Sequence, residues 1–211
     1  MTEKIRIAVL VSGGGTNLQA LIDAQQAGEI PDGEIALVVS NKTGAYALER
    51  AAKAGIPAVT VTKKANGGTQ EGFEQALLAV LKENRIDLVI LAGFLAILSA
   101  GFTRAYNDRI INVHPSLIPS FCGKGFYGLH VHEAALAYGV KLSGATVHFV
   151  SEECDGGPII AQKAVPVLEG DTPETLQRRI MEEAEWKLLP EAVALFCAGR
   201  ITVEGRNVHI R

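Results

Sequence analysis

The sequence predicts an α/β fold: one open, mostly parallel sheet with helices on both faces and a small hairpin at the C-terminal end. Three observations predict it. Short β-branched runs alternate with longer amphipathic segments through the first half of the chain. Those runs are apolar throughout rather than at every second residue, as in strands buried on both faces. The first of them leads straight into a glycine cluster that opens a helix, the turn expected where a strand feeds a crossover.

Strands are expected at residues 5–11, 35–40, 58–61 and 88–91, with helices near 17–27, 45–54 and 71–84 between them. In the last helix Phe73, Ala76, Leu77, Val80 and Leu81 recur at i, i+3, i+4 spacing, the period of one buried helical face. The second half changes texture. A strand at 110–113 runs into a Pro- and Gly-rich loop at 115–128, followed by a helix near 132–138. Two strands at 145–150 and 159–166 flank an acidic, Gly-containing turn. A long helix is expected from about 173 to 198, on the apolar stripe Leu176, Ile180, Leu188, Leu189, Val193 and Phe196. Asp171 or Thr172 suits its N-cap and Pro173 its first turn. Residues 201–203 and 208–210 around Gly205 read as a hairpin. Neither a linker nor an internal repeat interrupts the pattern, so the chain reads as a single domain of the Rossmann-like kind.

Composition narrows the function classes. At 211 residues and 48% hydrophobic, the chain is long enough to bury a sizeable core. A net charge of −3 without a Lys/Arg run argues against a nucleic-acid or membrane-surface binder. A small anion remains allowed, because backbone N–H groups hold phosphate without net positive charge. No apolar stretch reaches the ~18–20 residues of a membrane span. Cys122, Cys154 and Cys197 are odd in number and widely spaced, as reduced thiols of a cytoplasmic protein would be.

Three features carry chemistry. The run Ser12-Gly13-Gly14-Gly15-Thr16-Asn17 lies between strand and helix, where glycines allow close approach and the helix start offers free N–H groups to an anion. It lacks the third glycine of a dinucleotide fingerprint and the Lys-Ser/Thr of a Walker loop. Asn112 and His114 sit at i, i+2 on one strand face, just before Pro115. An amide donor and an imidazole are thereby presented at a strand's carboxyl end, where open α/β sheets bind ligands. Asp155 belongs to an acidic turn that could be no more than a favoured Asp-Gly turn. Its functional reading is that it approaches His114 and raises the imidazole's pKa. His130, His132 and His148 lack a carboxylate or Cys at matching ligand spacing, so no metal is expected. A Ser12 or Ser116 nucleophile lacks the G-x-S-x-G elbow.

These residues carry a resemblance. The order SGGGTN, VILAGFLAILS, INVHPSLIPSF and SGATVHFVSEECDGGPIIAQ resembles the phosphoribosylglycinamide (GAR) formyltransferase family of folate-dependent formyltransferases, over nearly the whole chain. The resemblance implies transfer of a formyl group from 10-formyltetrahydrofolate, as co-substrate, to the amine of GAR in purine biosynthesis, without a metal. It implies one formyltransferase domain over 1–211, with a phosphate-binding half at about 1–100 and a folate and catalytic half at about 101–211. Gly15, Thr16 and Asn17 would hold the ribose phosphate and Glu185 the sugar or amine. Leu95, Ala96, Ile97 and Leu98 would meet the folate, as would Ser151, Glu152, Glu153, Cys154 and Asp155. Asn112 and His114 would bracket the formyl oxygen, with Asp155 tuning His114.

The chain departs from the family pattern in several places. Ala96 and Gln70 stand where some members carry Arg, so charge contacts to the folate's glutamate tail are missing. Trp186 replaces a frequent His, the long helix is one residue longer before Glu185, and the 121–128 loop is long enough to act as a lid. A formyltetrahydrofolate hydrolase shares Asn112, His114 and Asp155, but Met1 to Lys4 leave no room for the regulatory domain such relatives carry. A non-catalytic folate or nucleotide binder of the same fold is the rival from another class. The state expected is monomer or homodimer.

Overall fold

The computed structural model describes residues 3–211; Met1 and Thr2 of the short N-terminal stretch lie outside the described residues. Strand β1 (Ile5–Val11) is followed by α1 (Thr16–Gln26), β2 (Gly33–Ser40), α2 (Tyr46–Lys53), β3 (Ala58–Thr60), α3 (Gln70–Glu83) and β4 (Leu88–Leu91). Next come α4 (Ala100–Ala105), β5 (Ile110–His114), α5 (Leu129–Tyr138), β6 (Leu142–Phe149) and β7 (Ile159–Pro166). Helix α6 (Pro173–Ile180), a π turn (Met181–Glu185), α7 (Trp186–Cys197) and the strands β8 (Ile201–Glu204) and β9 (Asn207–Ile210) complete the chain.

The first seven strands form one sheet in the order β3-β2-β1-β4-β5-β6-β7. Pairing is parallel from β3 to β5; β6 and β7 add antiparallel. β8 and β9 make the separate expected hairpin. Strand alternation divides the core in two. From β1, Ile7, Val9 and Val11 pack under α1, α2, α6 and α7. Ala8 and Leu10 face the opposite layer, where α3 supplies Phe73, Leu77 and Leu81 and α4 supplies Phe102. Each such Leu side chain taken from water contributes roughly 1.5–3 kcal/mol. Because β1 has β2 on one side and β4 on the other, the chain reverses its winding between β1 and β4. The loops after those strands diverge and leave a cleft at their carboxyl ends.

Four local expectations are corrected. Helix α4 was not anticipated: it spans under two turns and is held by a Ser99 cap on the Phe102 N–H and by the one large buried ring of Phe102, too little for a readable period. Helix α5 begins at Leu129 rather than near 132, and β6 at Leu142 rather than 145. The helix expected to run unbroken from 173 to 198 is interrupted by the π turn. Pro190, inside α7, lacks the N–H that would bond back to Trp186 and crowds that turn, disturbing the regular ladder just before it. The Thr172 cap and Pro173 start are as expected, with Thr172 accepting the Thr175 N–H.

Gly157 seats the acidic turn against β6: a Cβ there would lie 1.8 Å from the Phe149 carbonyl oxygen. Gly157→Ala is expected to destabilise the protein by about 1–3 kcal/mol, the usual scale of overpacking. Urea denaturation measures it, and a midpoint equal to wild type would contradict this seating of the turn.

Candidate active site

Strand β5 delivers Asn112 and His114 to the carboxyl edge of the sheet, and β6 pairs beside it with Asn112 opposite His148 and His114 opposite Thr146. The acidic turn between β6 and β7 folds back over this pair. The carboxylate of Asp155, only 11% exposed, lies 3.6 Å from His114 Nδ1 and 3.7 Å from His148 Nε2. The loop after β5 closes the other side, where the Gly123 N–H donates to Asp155 Oδ2 at 2.8 Å. His114 and Asp155, distant in sequence, thus meet, as the functional reading of the acidic turn expects.

The hydrogen bonds set the tautomers. His114 Nε2 sits 2.9 Å from the Phe121 carbonyl oxygen, which only accepts, so Nε2 carries a proton and Nδ1 faces Asp155. His148 Nδ1 lies 2.8 Å from the Phe149 carbonyl oxygen and is likewise the protonated nitrogen. His148 Nε2 then accepts from Asn112 Nδ2 at 3.1 Å, which occupies one amide hydrogen of Asn112 and leaves the other free. His148 was considered in the sequence only as a metal ligand and is here the residue that orients Asn112. Its Thr146-x-His148 spacing on one strand face repeats that of Asn112 and His114, a signal that was available.

Asp155 raises the His114 pKa as expected, but the net shift runs the other way. Burial, the largest influence, pushes its pKa below the ordinary imidazole range; Asp155 and the Phe121 carbonyl pull it up without overcoming that. For Asp155, burial alone raises the pKa, but the neighbouring imidazoles of His148 and His114 and the Gly123 N–H together bring it below the usual carboxylate value. The pair is therefore a carboxylate beside a neutral imidazole whose inward nitrogen is ready for a proton. Behind His114 lies His132, fully buried and pushed down to about 4 by burial and by His114.

The glycine run forms the other wall. Gly15 adopts φ 71°, ψ 37° and caps α1 without any side-chain bond, so the first N–H groups of the helix remain free. A Cβ at Gly15 would lie 2.6 Å from Ala47 Cβ, which with the left-handed backbone demands glycine. Asn17 does not face an anion with its side chain: Nδ2 donates to Glu185 Oε2 at 2.6 Å. Glu185 is buried on the π turn and pushed up to about 7 by that burial, with Asn17 opposing. Thr16 Oγ1 approaches Met181 Sδ at 3.7 Å. Thr16, Asn17 and Glu185 are thus brought to one corner, beside the loop rather than inside it.

Between the walls runs the 92–99 segment after β4. Ser12 Oγ accepts the Leu95 N–H at 2.9 Å and donates to Asn41 Oδ1 at 2.7 Å, joining the glycine run to this segment. Glu74 accepts from the Ser99 N–H at 2.6 Å and from the Ser99 hydroxyl. Gln70 donates to the Ile97 carbonyl at 2.9 Å. Leu95 and Ile97 stay more than half exposed while Ala96 and Leu98 turn inward against the core. Glu152 pairs at the surface with Arg104 at 2.6 Å, and Ser151 Oγ caps the turn on the Glu153 N–H. A groove of about 920 Å³ opens between α1 and α7, walled by Ala20, Ala24, Pro190 and Ala194, with Thr16 and Arg50 also in its lining. None of Asn112, His114 or Asp155 lines it, so the convergent polar groups at the strand ends, not this groove, mark the chemistry.

Known proteins resemble this chain over nearly its whole length. The profile of the formyl transferase family matches residues 5–193. The chicken trifunctional purine biosynthetic protein adenosine-3 is 46% identical over 202 residues, covering 96% of this chain. The chain spans only 19% of that relative. Phosphoribosylglycinamide formyltransferase of Haemophilus influenzae is 40% identical over 97% of this chain and 93% of its own length. The crystal structure of glycinamide ribonucleotide transformylase 1 from Symbiobacterium toebii superposes with a TM-score of 0.92 at 46% identity, covering 100% of this chain and 95% of that one.

Burial of His132 predicts an acid-sensitive fold. Its pKa is lower in the folded state, about 4 against 6.5, so the unfolded chain binds the proton first and stability falls as pH drops below 6.5. Between pH 7 and pH 5 the loss from His132 is ~2 kcal/mol, at 1.36 kcal/mol per pH unit. Urea midpoints at both pH values measure it, and His132→Leu should flatten the dependence; an unchanged slope in that variant would refute the assignment.

Proposed function

This chain belongs to the formyl transferase family, and on that premise we propose that it transfers a formyl group from 10-formyltetrahydrofolate to the amine of 5′-phosphoribosylglycinamide in purine biosynthesis. The observation that carries the proposal is the Asp155–His114–Asn112 cluster opening beside a helix start whose N–H groups are free. An amine acceptor bearing a phosphate and a formyl donor need these two neighbours.

Phosphate binds the N–H groups around Gly15, Thr16 and Asn17, where the α1 dipole favours an anion. Glu185, held by Asn17, meets the sugar or the amine. The folate lies along the 95–98 segment, with its ring against the exposed Leu95 and Ile97 side chains and the backbone of Ala96 and Leu98. The turn formed by Ser151, Glu152, Glu153, Cys154 and Asp155 covers the other edge. The first half of the chain, about 1–100, holds the phosphate and lends its last residues, 95–98, to the folate; the second, about 101–211, supplies the rest of the folate contacts and the reacting groups, with Glu185 reaching across. A cytoplasmic location, with free Cys122, Cys154 and Cys197, belongs to the same proposal.

The amine attacks the formyl carbon and the carbonyl oxygen gains negative charge. Asn112 donates its free amide hydrogen to that oxygen, its orientation set by His148. His114 takes a proton at Nδ1, and Asp155 at 3.6 Å stabilises the imidazolium that forms. Its positive charge lies beside the oxyanion, where each well-aimed donor or charge is worth ~3–4 kcal/mol. Collapse of the tetrahedral intermediate breaks the bond to the folate nitrogen, which receives a proton from His114 or from a water held by Asp155. Because burial keeps the imidazole neutral at rest, it is competent to accept the proton that the attacking amine releases.

His114→Ala and Asp155→Asn should each lower turnover by at least ~10²-fold while thermal unfolding shows an intact fold. Near-normal rates in both would remove the mechanism. Following formyl-donor consumption with and without the GAR amine separates transfer from hydrolysis to water: consumption independent of the amine would make the chain a hydrolase, and no consumption in either case a binding protein.

A further inference from the structure

Two successive carbonyls of the glycine run are taken by the same helix. The Ala47 N–H of α2 donates to the Gly13 carbonyl at 3.0 Å. One turn further along α2, Arg50 Nε donates to the Gly14 carbonyl at 2.8 Å and Nη1 to Gln19 Oε1 of α1 at 3.0 Å. The guanidinium is stacked on the Tyr46 ring, 5.0 Å from its centroid, which holds its plane from the other side. In a trans peptide the C=O of one residue and the N–H of the next point in opposite directions. Carbonyls drawn toward α2 therefore send the Gly14 and Gly15 N–H groups away from α2. A Cβ at Gly13 or Gly14 would meet nothing within 4 Å, so the run is open beside these peptides.

We propose that Arg50 is a positioning residue for the phosphate of the acceptor: by holding the Gly14 carbonyl on the α2 side it aims the Gly15 N–H into the anion cradle. The inference rests on the reading of this loop as the phosphate site. Arg50 is required for its geometry, because only a side chain with an N–H at the Nε position can donate to the carbonyl while its far end bonds Gln19 and stacks on Tyr46. An ammonium in its place supplies the charge but not this set of contacts. The neighbouring Lys53, 5.5 Å above the same ring, already provides one such charge nearby.

The test compares Arg50→Ala, Arg50→Lys and wild type by steady-state kinetics, with inorganic phosphate as a competitive inhibitor against GAR. Both variants should raise the KM for GAR and the inhibition constant for phosphate about tenfold, the loss of one charge-assisted contact's ordering effect. The turnover number and the KM for the formyl donor should stay within twofold. Recovery of phosphate affinity in Arg50→Lys would show that charge alone acts and would overturn the inference. A parallel fall in turnover, both KM values and melting temperature would also overturn it, by making Arg50 merely structural. If wild type neither uses GAR nor is inhibited by phosphate, the loop assignment itself fails; if wild type does both and Arg50→Ala is unchanged, the inference alone fails.

Discussion

A carboxylate withdrawn from water stays ionised only where a donor or positive charge meets it: Asp155 accepts the Gly123 N–H at rest and faces the imidazolium of His114 once that ring takes a proton. Two imidazoles and one backbone N–H face its oxygens. Each comes from a different element: His114 from β5, His148 from β6 and Gly123 from the loop that covers them. The register of the antiparallel β5–β6 pair places His148 opposite Asn112, and so lets one aspartate meet both histidines. Were β6 shifted by a single residue against β5, His148 would turn to the other face of the sheet and leave Asn112 and Asp155. The acidic turn, the covering loop and the orientation of the Asn112 amide all follow from this one buried charge and its partners.

The two walls of the cleft are joined by polar contacts that do not belong to the sheet ladder. Ser12 links the loop after β1 to the segment after β4, so the proposed phosphate and folate sites share a hinge at one hydroxyl. Asn17 and Glu185 link α1 to the π turn before α7. A π turn widens the helix by one residue and often marks a functional position. Here it presents a carboxyl whose burial moves it toward neutrality, so that it meets Asn17 without leaving a stranded charge.

Much of the fold was legible because the strand runs of the first half, β1 to β4, are mostly apolar and the helices between them carry a buried face. The limits were equally local. Helix α4 offers a single large buried ring, Phe102, and no repeat. Pro190 was visible inside an apolar stripe, yet the stripe alone continued smoothly through the π turn. The i, i+2 pair Asn112 and His114 could be placed on one strand face from sequence, since side-chain alternation is a property of the strand itself. His148 could not be assigned its role, because that depends on which residue lies across a strand pair 36 residues away.

The direction of the His114 shift shows the same boundary. Sequence supplied the partner, an aspartate with reason to approach, and so a pull toward the charged form. It did not supply the depth of burial, and burial outweighs that pull. By itself the sequence determined the parallel α/β layering, the glycine-shaped helix start and the residue types available at the strand ends, all of which arise from short-range backbone preferences and hydrophobic period. Only the tertiary structure decided how close those residues stand, which nitrogen of each histidine holds the proton and how much water reaches them. Those depend on long-range packing, to which local preference is blind.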